Sequence, residues 1–346
     1  MFTSGVFSFL PVTLGIFLVS LAIVVATSAR FTRKLEELCE AFNLSIGVLS
    51  LLSALGANVP NYVSSAIAIV SGHIDVGIGI IVGSNIFNIA IILGLCTLLT
   101  PERSGMTLDV RERRDVRVIA FYALAIALLS FLVISWLPGG PLVTTFHAPG
   151  PSNVLFPLMS VLVLSVFGAL LIHILRRSHG SAGTTLHHHD YPQRKAPLSI
   201  ARLAGEVIFT LVIALGGVLV MVQAGQTLTA DLRMPSVLAG LLVLAIATSL
   251  PNTVVAVSLV RTGEAAACVE EVYSSSSINT ALGIVLPLLF WRGILGDRFL
   301  LLLDAPVTLA LISVVLLYVL RGRISRNIGV ILLATYVAWV LLRFWI

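Results

Sequence analysis

The sequence predicts an all-α membrane protein with ten transmembrane helices, arranged as two inverted repeats of five helices. Its composition, the spacing of its apolar runs and a polar motif that occurs once in each half support this fold class. Hydrophobic residues make up 58% of the 346 positions and charged residues 11%, whereas a water-soluble globule needs a larger polar fraction to cover its surface. Most of the chain is therefore expected to lie in a lipid bilayer.

Apolar runs of about twenty residues recur between polar breaks, and each can cross a hydrocarbon core of roughly 30 Å as a helix. The first run has no Lys or Arg before it, which favours a spanning helix over a cleaved secretory signal. The ten predicted spans are residues 8–28, 43–70, 75–99, 117–137, 152–175, 203–224, 234–260, 265–290, 299–320 and 326–345.

Basic residues are distributed unequally between the alternating loops that these spans define. One set of loops has only Arg233, Arg292, Arg298 and Arg343 of the 21 Lys and Arg residues. Because Lys and Arg accumulate on the cytoplasmic side, we expect both termini to lie outside. The short loops favour a bacterial inner membrane. The net charge of +5 follows from this topology, and the basic residues lack the aromatic clusters typical of nucleic-acid binding. The cytoplasmic set consists of Arg30, Arg33, Lys34, Arg103, Arg111, Arg113, Arg114, Arg117, Arg176, Arg177, Arg194, Lys195, Arg202, Arg261, Arg321, Arg323 and Arg326.

The longest polar stretch, residues 176–202, lies at the midpoint of the chain and is predicted to be a cytoplasmic linker. It separates a first repeat, residues 1–175, from a second repeat, residues 203–346. The linker contains Gly-Ser-Ala-Gly and three consecutive histidines, His187 to His189. A His triplet can bind metal, but a solvated loop is the simpler interpretation, and no role is assigned to it.

A Pro-Asn motif occurs in the second span and again in the seventh. One constant offset aligns Pro60-Asn61 with Pro251-Asn252, and without a gap it also aligns three later pairs. An odd number of spans separates the copies, so the second enters the membrane from the opposite side. Each Pro is expected to interrupt its helix near the midplane and to free carbonyl groups for a cation. Ordinary proline kinks are the alternative, which recurrence in inverted register disfavours. The later pairs are Gly72 with Gly263, Ser84 with Ser275 and Asn88 with Asn279.

The sequence from Ser71 to Asp75, followed by Gly-Ser-Asn-Ile-Phe-Asn at residues 83–88, resembles the first signature repeat of the calcium/cation exchanger superfamily. In that superfamily each repeat pairs Thr-Ser-Leu-Pro-Glu with a Gly-Ser-Asn motif. The resemblance covers the whole chain and implies a secondary antiporter of sodium/calcium exchanger type. Its partners would be inorganic cations, Na⁺ and Ca²⁺, and the lipid bilayer, with no tightly bound cofactor. The oligomeric state is left open.

The resemblance also implies a central cation site, in which the signature acids are replaced by Asn61 and Asn252. Calcium sites usually include carboxylates, so a neutral centre favours weaker divalent binding. A divergent antiporter of monovalent cations is therefore the alternative within transport. Asparagine does not titrate, so proton exchange at the centre is not expected. The positions that match the superfamily's ligands are Asn61, Ser84, Asn88, Thr248, Ser249, Asn252, Ser275 and Asn279.

Most acidic residues lie in loops, and the plausible intramembrane ones are Glu206, Glu270, Glu271 and Asp304. Glu271 precedes Ser275 by one helical turn, so both share a helix face, and Glu271 is predicted to line a cytoplasmic vestibule. Its alternative is contact with water or with Arg261. Glu206 and Asp304 lie near predicted helix ends, where solvated or structural roles are expected.

Two functions outside transport remain open at this point. The scaffold is compatible with a non-transporting sensor or structural membrane protein. An intramembrane hydrolase would use one of the serines in residues 274–277 as a nucleophile, but the sequence has no Gly-x-Ser-x-Gly or His-Glu-x-x-His motif. It has no P-loop for ATP either, so a gradient-driven transporter and not an enzyme is predicted.

Overall fold

The computed structural model describes residues 10–41, 54–141, 152–180, 200–291 and 293–346. In these ranges nine helices are long and apolar enough to cross a membrane, and one shorter apolar helix, Val59–Val70, accompanies them. The predicted ten-helix layout is thereby confirmed. The helices are α1 (Leu10–Ala41), α2 (Val59–Val70), α3 (Ile74–Leu99), α4 (Val110–Ser135), α5 (Ser152–Gly180), α6 (Ile200–Asp231), α7 (Ala239–Arg261), α8 (Ala265–Phe290), α9 (Leu300–Arg321) and α10 (Arg326–Trp345).

Several helices extend past the predicted ends of their apolar runs. α1 continues to Ala41 because no Gly or Pro follows its apolar part, so Arg30, Arg33 and Lys34 lie on its last turns and not in a loop. α5 and α6 are also longer than predicted, and α6 continues through Gly225 to Asp231. The start of the second predicted span, residues 43–53, and most of the linker with its His triplet lie outside the described residues.

The turns after α2 and after α7 are built alike, which is direct structural support for the repeat. Gly72 and Gly263 have φ angles of +87° and +89°. In both turns the N–H of the following residue donates to a carbonyl five residues earlier, at 2.9 Å. This left-handed helix ending costs glycine little and other residues more. The two repeats therefore share their local backbone geometry and not only a sequence register.

The two central helices of the bundle are α3 and α8. In the most apolar stretch of each, 94% and 83% of residues are buried, against 22% for α1 and α5. α2 packs against α3 and α8, and α7 packs against α3 and α8 as well, whereas α1 packs lengthwise on α6 at the periphery. The polar motifs thus lie on the helices with the least contact with lipid.

α3 and α7 approach each other through glycines, with almost no side chain between the backbones. A Cβ added to Gly83 would lie 2.1 Å from the carbonyl oxygen of Leu241, and one added to Gly240 would lie 2.2 Å from that of Val76. Small residues permit such close helix contact in membranes. This contact joins the first repeat to the second beside the polar motifs.

A two-stranded antiparallel ladder closes the side of the bundle that carries most of the basic residues. β1 (Met106–Thr107) follows α3, β2 (Arg323–Ile324) follows α9, and Met106 lies opposite Ile324. The loop after α3 is thus fixed to the turn between α9 and α10. β1 also contacts α8, one of the two central helices.

Asp304 is fully buried, so the solvated role expected for it is wrong and the structural alternative stays a prediction. Its Oδ1 accepts a hydrogen bond from Trp339 Nε1 at 2.8 Å, and its Oδ2 lies 3.2 Å from Nε of Arg343. α9 starts at Leu300, so Asp304 lies one turn inside this helix. Its side chain points into the bundle towards α10. Arg343, predicted in an outer loop, is buried in the last turn of α10. Arg343 also pairs with Asp297, so these charges connect the start of α9 to the end of α10.

Candidate cation site

Four asparagines predicted to bind a cation are buried, one on each of the four helices at the repeat interface. Asn61 lies on α2, Asn88 on α3, Asn252 on α7 and Asn279 on α8, and none is more than 2% exposed. Their carboxamides supply neutral oxygen ligands of the kind that Na⁺ and Ca²⁺ accept in proteins. These residues place uncharged polar groups in the interior of a largely apolar bundle.

The predicted interruption in the first repeat is present, and Asn58 forms it. A helical turn at residues 54–57 ends at Asn58, after which α2 starts with Pro60 in its first turn. The Asn58 amide nitrogen donates to the carbonyl of Ala54 at 2.8 Å. The side chain thus satisfies a backbone group near the break, as lipid-embedded helices require.

The interruption predicted in the second repeat is wrong, because α7 continues through Pro251. Residues 239–244, about two to three turns before Pro251, are π-helical, so the hydrogen-bond ladder is already shifted there. The Thr248 hydroxyl also donates to the carbonyls of Leu244 and Ala245, at 2.8 and 3.3 Å. Such local adjustments allow membrane helices to include proline without a break.

A continuous chain of hydrogen bonds connects three helices across the repeat interface. Asn252 Nδ2 donates to Asn58 Oδ1 at 2.8 Å, and Asn58 Nδ2 donates to Ser275 Oγ at 3.0 Å. Ser275 in turn donates to Glu271 Oε1 at 2.9 Å. Asn252, Ser275 and Glu271 are predicted site residues that the structure brings together. Asn58 was not predicted, although the constant offset aligns it with the predicted ligand Ser249.

Two further contacts link the repeats on the α3 side. The Ser84 hydroxyl lies 3.2 Å from Asn61 Oδ1 and 3.4 Å from the carbonyl of Ala245, so it donates to one or shares its proton between them. Asn85 Nδ2 donates to Thr280 Oγ1 at 2.9 Å. Asn85 and Thr280 were not predicted as site residues. Asn85 is the third residue of the Gly-Ser-Asn-Ile-Phe-Asn motif, and its place in this motif could have identified it as a site residue.

Several buried oxygens in this region accept no hydrogen bond from any described residue. A buried polar atom without a partner costs about 1–3 kcal/mol, so a group of them marks a place for a ligand. Both ends of the Asn88 and Asn279 amides are unpaired, which leaves these side chains free to turn either end inward. The oxygens are Asn85 Oδ1, Asn88 Oδ1, Ser249 Oγ, Asn252 Oδ1 and Asn279 Oδ1.

π-helical segments begin at Asn88 in α3 and at Asn279 in α8, the same position in the two repeats. The Leu93 N–H, for example, donates to the carbonyl of Asn88, five residues earlier. π-bulges inside α-helices occur frequently at functional sites. The backbone is therefore irregular in both repeats at the residues predicted to end the ligand set.

The charge of the site is low, as the sequence predicted. In the described residues no group of three or more His, Cys, Asp and Glu side chains can hold a metal ion. Glu271 is the one predicted site residue with a charge. It is partly exposed, and its predicted alternative, an ion pair with Arg261, is absent between these two described residues. Glu206, near the start of α6, pairs instead with Lys34 at 3.2 Å and with Arg202 at 3.4 Å.

The sequence is similar to a named sodium/calcium exchanger and to an inner membrane protein over nearly its whole length. The family described as "Sodium/calcium exchanger protein" matches residues 12–176 and 203–345. Inner membrane protein YrbG of Escherichia coli K12 is 26% identical, over 96% of this chain and 97% of its own length. Sodium/calcium exchanger MaX1 of Methanosarcina acetivorans is 26% identical, over 96% and 98%. Human sodium/potassium/calcium exchanger 4 is 35% identical, over only 27% of this chain and 15% of its own length.

The fold agrees with these similarities. Structures of the sodium-calcium exchanger NCX_Mj, soaked with Na⁺ and Sr²⁺, superpose on 96% of this chain and 99% of their own, with a TM-score of 0.62 and 20% sequence identity. A structure of the same exchanger soaked without Na⁺ and Ca²⁺ gives a TM-score of 0.58 over 94% of this chain. By its sequence match to the family across both repeats, this multi-pass membrane protein belongs to the sodium/calcium exchanger family.

Proposed function

We propose that this protein is a secondary active cation antiporter that exchanges Ca²⁺ or a related cation for Na⁺ by alternating access. The observation that carries the proposal is the group of buried, unpaired amide oxygens where helices of the two repeats meet. Membrane interiors exclude unpaired polar groups unless they serve a ligand or a water-filled path. The sodium/calcium exchanger names of its relatives support the same substrates.

In this proposal the cation binds among the eight positions that match the family's ligands. Amide and hydroxyl oxygens replace part of its hydration shell, while Asn58 keeps Asn252 and Ser275 in place. A neutral site stabilises a divalent ion less than a site with carboxylates does, so weak Ca²⁺ binding follows. The proposed ligands are Asn61, Ser84, Asn88, Thr248, Ser249, Asn252, Ser275 and Asn279.

Alternating access would arise from movement of the two repeats around this site. We assign residues 1–175 to the first repeat, 176–202 to a cytoplasmic linker and 203–346 to the second repeat. Both termini would then lie outside a bacterial inner membrane. This orientation rests on the loop charges, and the similarity to an E. coli inner membrane protein supports the choice of membrane.

The contacts of the consecutive serines, residues 274–277, support a transporter more than an enzyme. Ser276 and Ser277 donate to carbonyls of their own helix at 2.9 Å, and Ser275 donates to Glu271. None of the described histidines hydrogen bonds to these three serines. A hydrolase needs a base that activates its nucleophile, and Ser276 and Ser277 have only backbone partners among the described contacts.

The test is ion flux into proteoliposomes that contain the purified protein, with Ca²⁺, Na⁺, K⁺ and proton gradients imposed one at a time. We expect Ca²⁺ uptake driven by an opposing Na⁺ gradient. The double variant Asn61→Ala/Asn252→Ala should lose this uptake, whereas Asn327→Ala, an exposed asparagine on α10, should keep it. Asn61→Glu/Asn252→Glu should strengthen Ca²⁺ uptake, because the carboxylates add counter-charge.

Other outcomes separate the alternatives. Movement of monovalent ions alone would replace the calcium exchanger with a monovalent-cation antiporter. Absence of flux for every ion, with folded protein, would overturn the transport proposal in favour of a sensor or structural protein. Normal flux in the folded Asn61→Ala/Asn252→Ala variant would show that the cation binds elsewhere.

A further inference from the structure

Glu271 differs in its partners from three other acidic side chains of the described helices, Asp75, Glu206 and Asp304. Asp304 lies against Arg343, Glu206 pairs with Lys34 and Arg202, and Asp75 accepts the N–H of Gly296 at 3.0 Å. Glu271 contacts no described cation, and its hydrogen bond comes from the Ser275 hydroxyl. An unpaired carboxylate one turn and a half inside a membrane helix is costly unless it has a functional partner.

The partners of Glu271 lead to the proposed cation site. Ser275 receives the amide N–H of Asn58, and Asn58 receives that of Asn252, with distances of 3.0 and 2.8 Å. Asn58, Ser275 and Asn252 are nearly inaccessible to solvent, whereas Glu271 is partly exposed. The hydrogen-bonded chain therefore runs from the buried amides to a carboxylate at the edge of the interior.

The second repeat alone has this acid. The position equivalent to Glu271 in the first repeat is Ile80, which is fully buried among apolar side chains. Because the repeats are inverted, equivalent positions face opposite sides of the membrane. A cation that approaches from the side of the α7–α8 turn meets a carboxylate, and a cation that approaches from the other side meets none at the equivalent place.

We propose that Glu271 supplies the counter-charge of the otherwise neutral cation site, on one side of the membrane only, and that this charge sets the preference for Ca²⁺ over Na⁺. The inference rests on the proposed function and adds the electrostatic part of the site. The attraction between a carboxylate and an ion scales with the ion's charge. Glu271 thus contributes twice as much free energy to Ca²⁺ binding as to Na⁺ binding.

The test is equilibrium binding of radioactive Ca²⁺ and Na⁺ to the purified protein, comparing Glu271→Gln with Glu270→Gln. Gln keeps an acceptor for Ser275 and removes the charge. We expect Glu271→Gln to weaken Na⁺ binding roughly tenfold and Ca²⁺ binding roughly a hundredfold, the square of the first factor. Glu271→Asp should recover most of the lost affinity. The adjacent Glu270→Gln, a matched loss of charge outside the chain of contacts, should bind both ions within about twofold of the parent.

Parental affinity in Glu271→Gln would overturn this inference and leave the amide site standing. Equal losses for Na⁺ and Ca²⁺, or a failure of Glu271→Asp to recover binding, would also overturn it, because they indicate a structural and not an electrostatic role. If the parent protein itself binds neither ion, the proposed function fails, which is a different result from failure of the Glu271 assignment.

Discussion

At the residues that meet in the centre, the first repeat has a broken helix and a complete Gly-Ser-Asn-Ile-Phe-Asn motif, whereas the second has an unbroken helix and a run of serines. The backbones nevertheless match. Gly72 and Gly263 form the same turn, and π-helical segments begin at Asn88 and Asn279. The shared backbone fixes where four helices meet, while the side chains decide which groups a cation contacts there.

Two pairs of equivalent positions show this division. Asn58 bridges the repeats with both ends of its amide, whereas its equivalent, Ser249, has an unpaired hydroxyl among the described contacts. Glu271 has a charge where Ile80 has none. The first repeat therefore contributes the bridging amide, and the second contributes the free ligand oxygen and the carboxylate.

The largest effect is expected at the buried ion pair between Asp304 and Arg343, which lies in the second repeat. Arg343→Met would leave Asp304 as an uncompensated buried charge, which costs about 3–5 kcal/mol. Thermal unfolding in detergent should show a large fall in the transition temperature. The double variant Asp304→Asn/Arg343→Met should regain part of it, because only the partly exposed Asp297, the second partner of Arg343, is then left without its cation. A single variant as stable as the parent would show that the pair is not needed.

A smaller effect should separate Asn58 from Ser249. Asn58→Ala leaves the Asn252 amide N–H without its buried acceptor, at a cost of about 1–3 kcal/mol, and should lower both stability and ion flux. Ser249→Ala breaks no described hydrogen bond and should weaken ion binding with little change in stability. Thermal unfolding and ion flux, measured on both variants, test this difference between Asn58 and Ser249. Equal losses of stability would contradict the asymmetry between the repeats.

The smallest effect should be equal in the two repeats. Gly72→Ala and Gly263→Ala each force a residue with a Cβ into a left-handed conformation, at about 1–2 kcal/mol. The space around both glycines is open, so no clash adds to this cost. Unfolding of the two single variants in denaturant should therefore give similar losses of stability. A clear difference between them would mean that the two turns are not equivalent in solution.

The fold could be predicted because each of its signals is local. Ten apolar runs and a constant offset between Pro60 and Pro251 were enough for the ten-helix inverted repeat. Helix ends were predicted less well, since α1 extends thirteen residues beyond its predicted end at residue 28. A polar sequence without Gly or Pro continues a helix into water, and hydropathy alone cannot detect this.

The site residues that align between the two repeats were predicted from the sequence. The residues whose role depends on contacts between helices were missed. Asn58 and Thr280 act through partners more than 190 positions away in the chain, which spacing along one helix cannot reveal. Continuity through Pro251 depends on the preceding π-helical segment, and burial of Asp304 depends on Trp339 and Arg343. In each of these cases the tertiary environment changed the outcome that the local pattern predicted.

Anomalous diffraction from crystals soaked in Sr²⁺ can show whether a cation binds among the neutral amides at the repeat interface. We expect a peak about 2.5 Å from oxygens of Asn88, Asn252 and Asn279, and its loss in Asn61→Ala/Asn252→Ala crystals. Peaks only at surface carboxylates, in protein that transports Ca²⁺, would contradict this expectation.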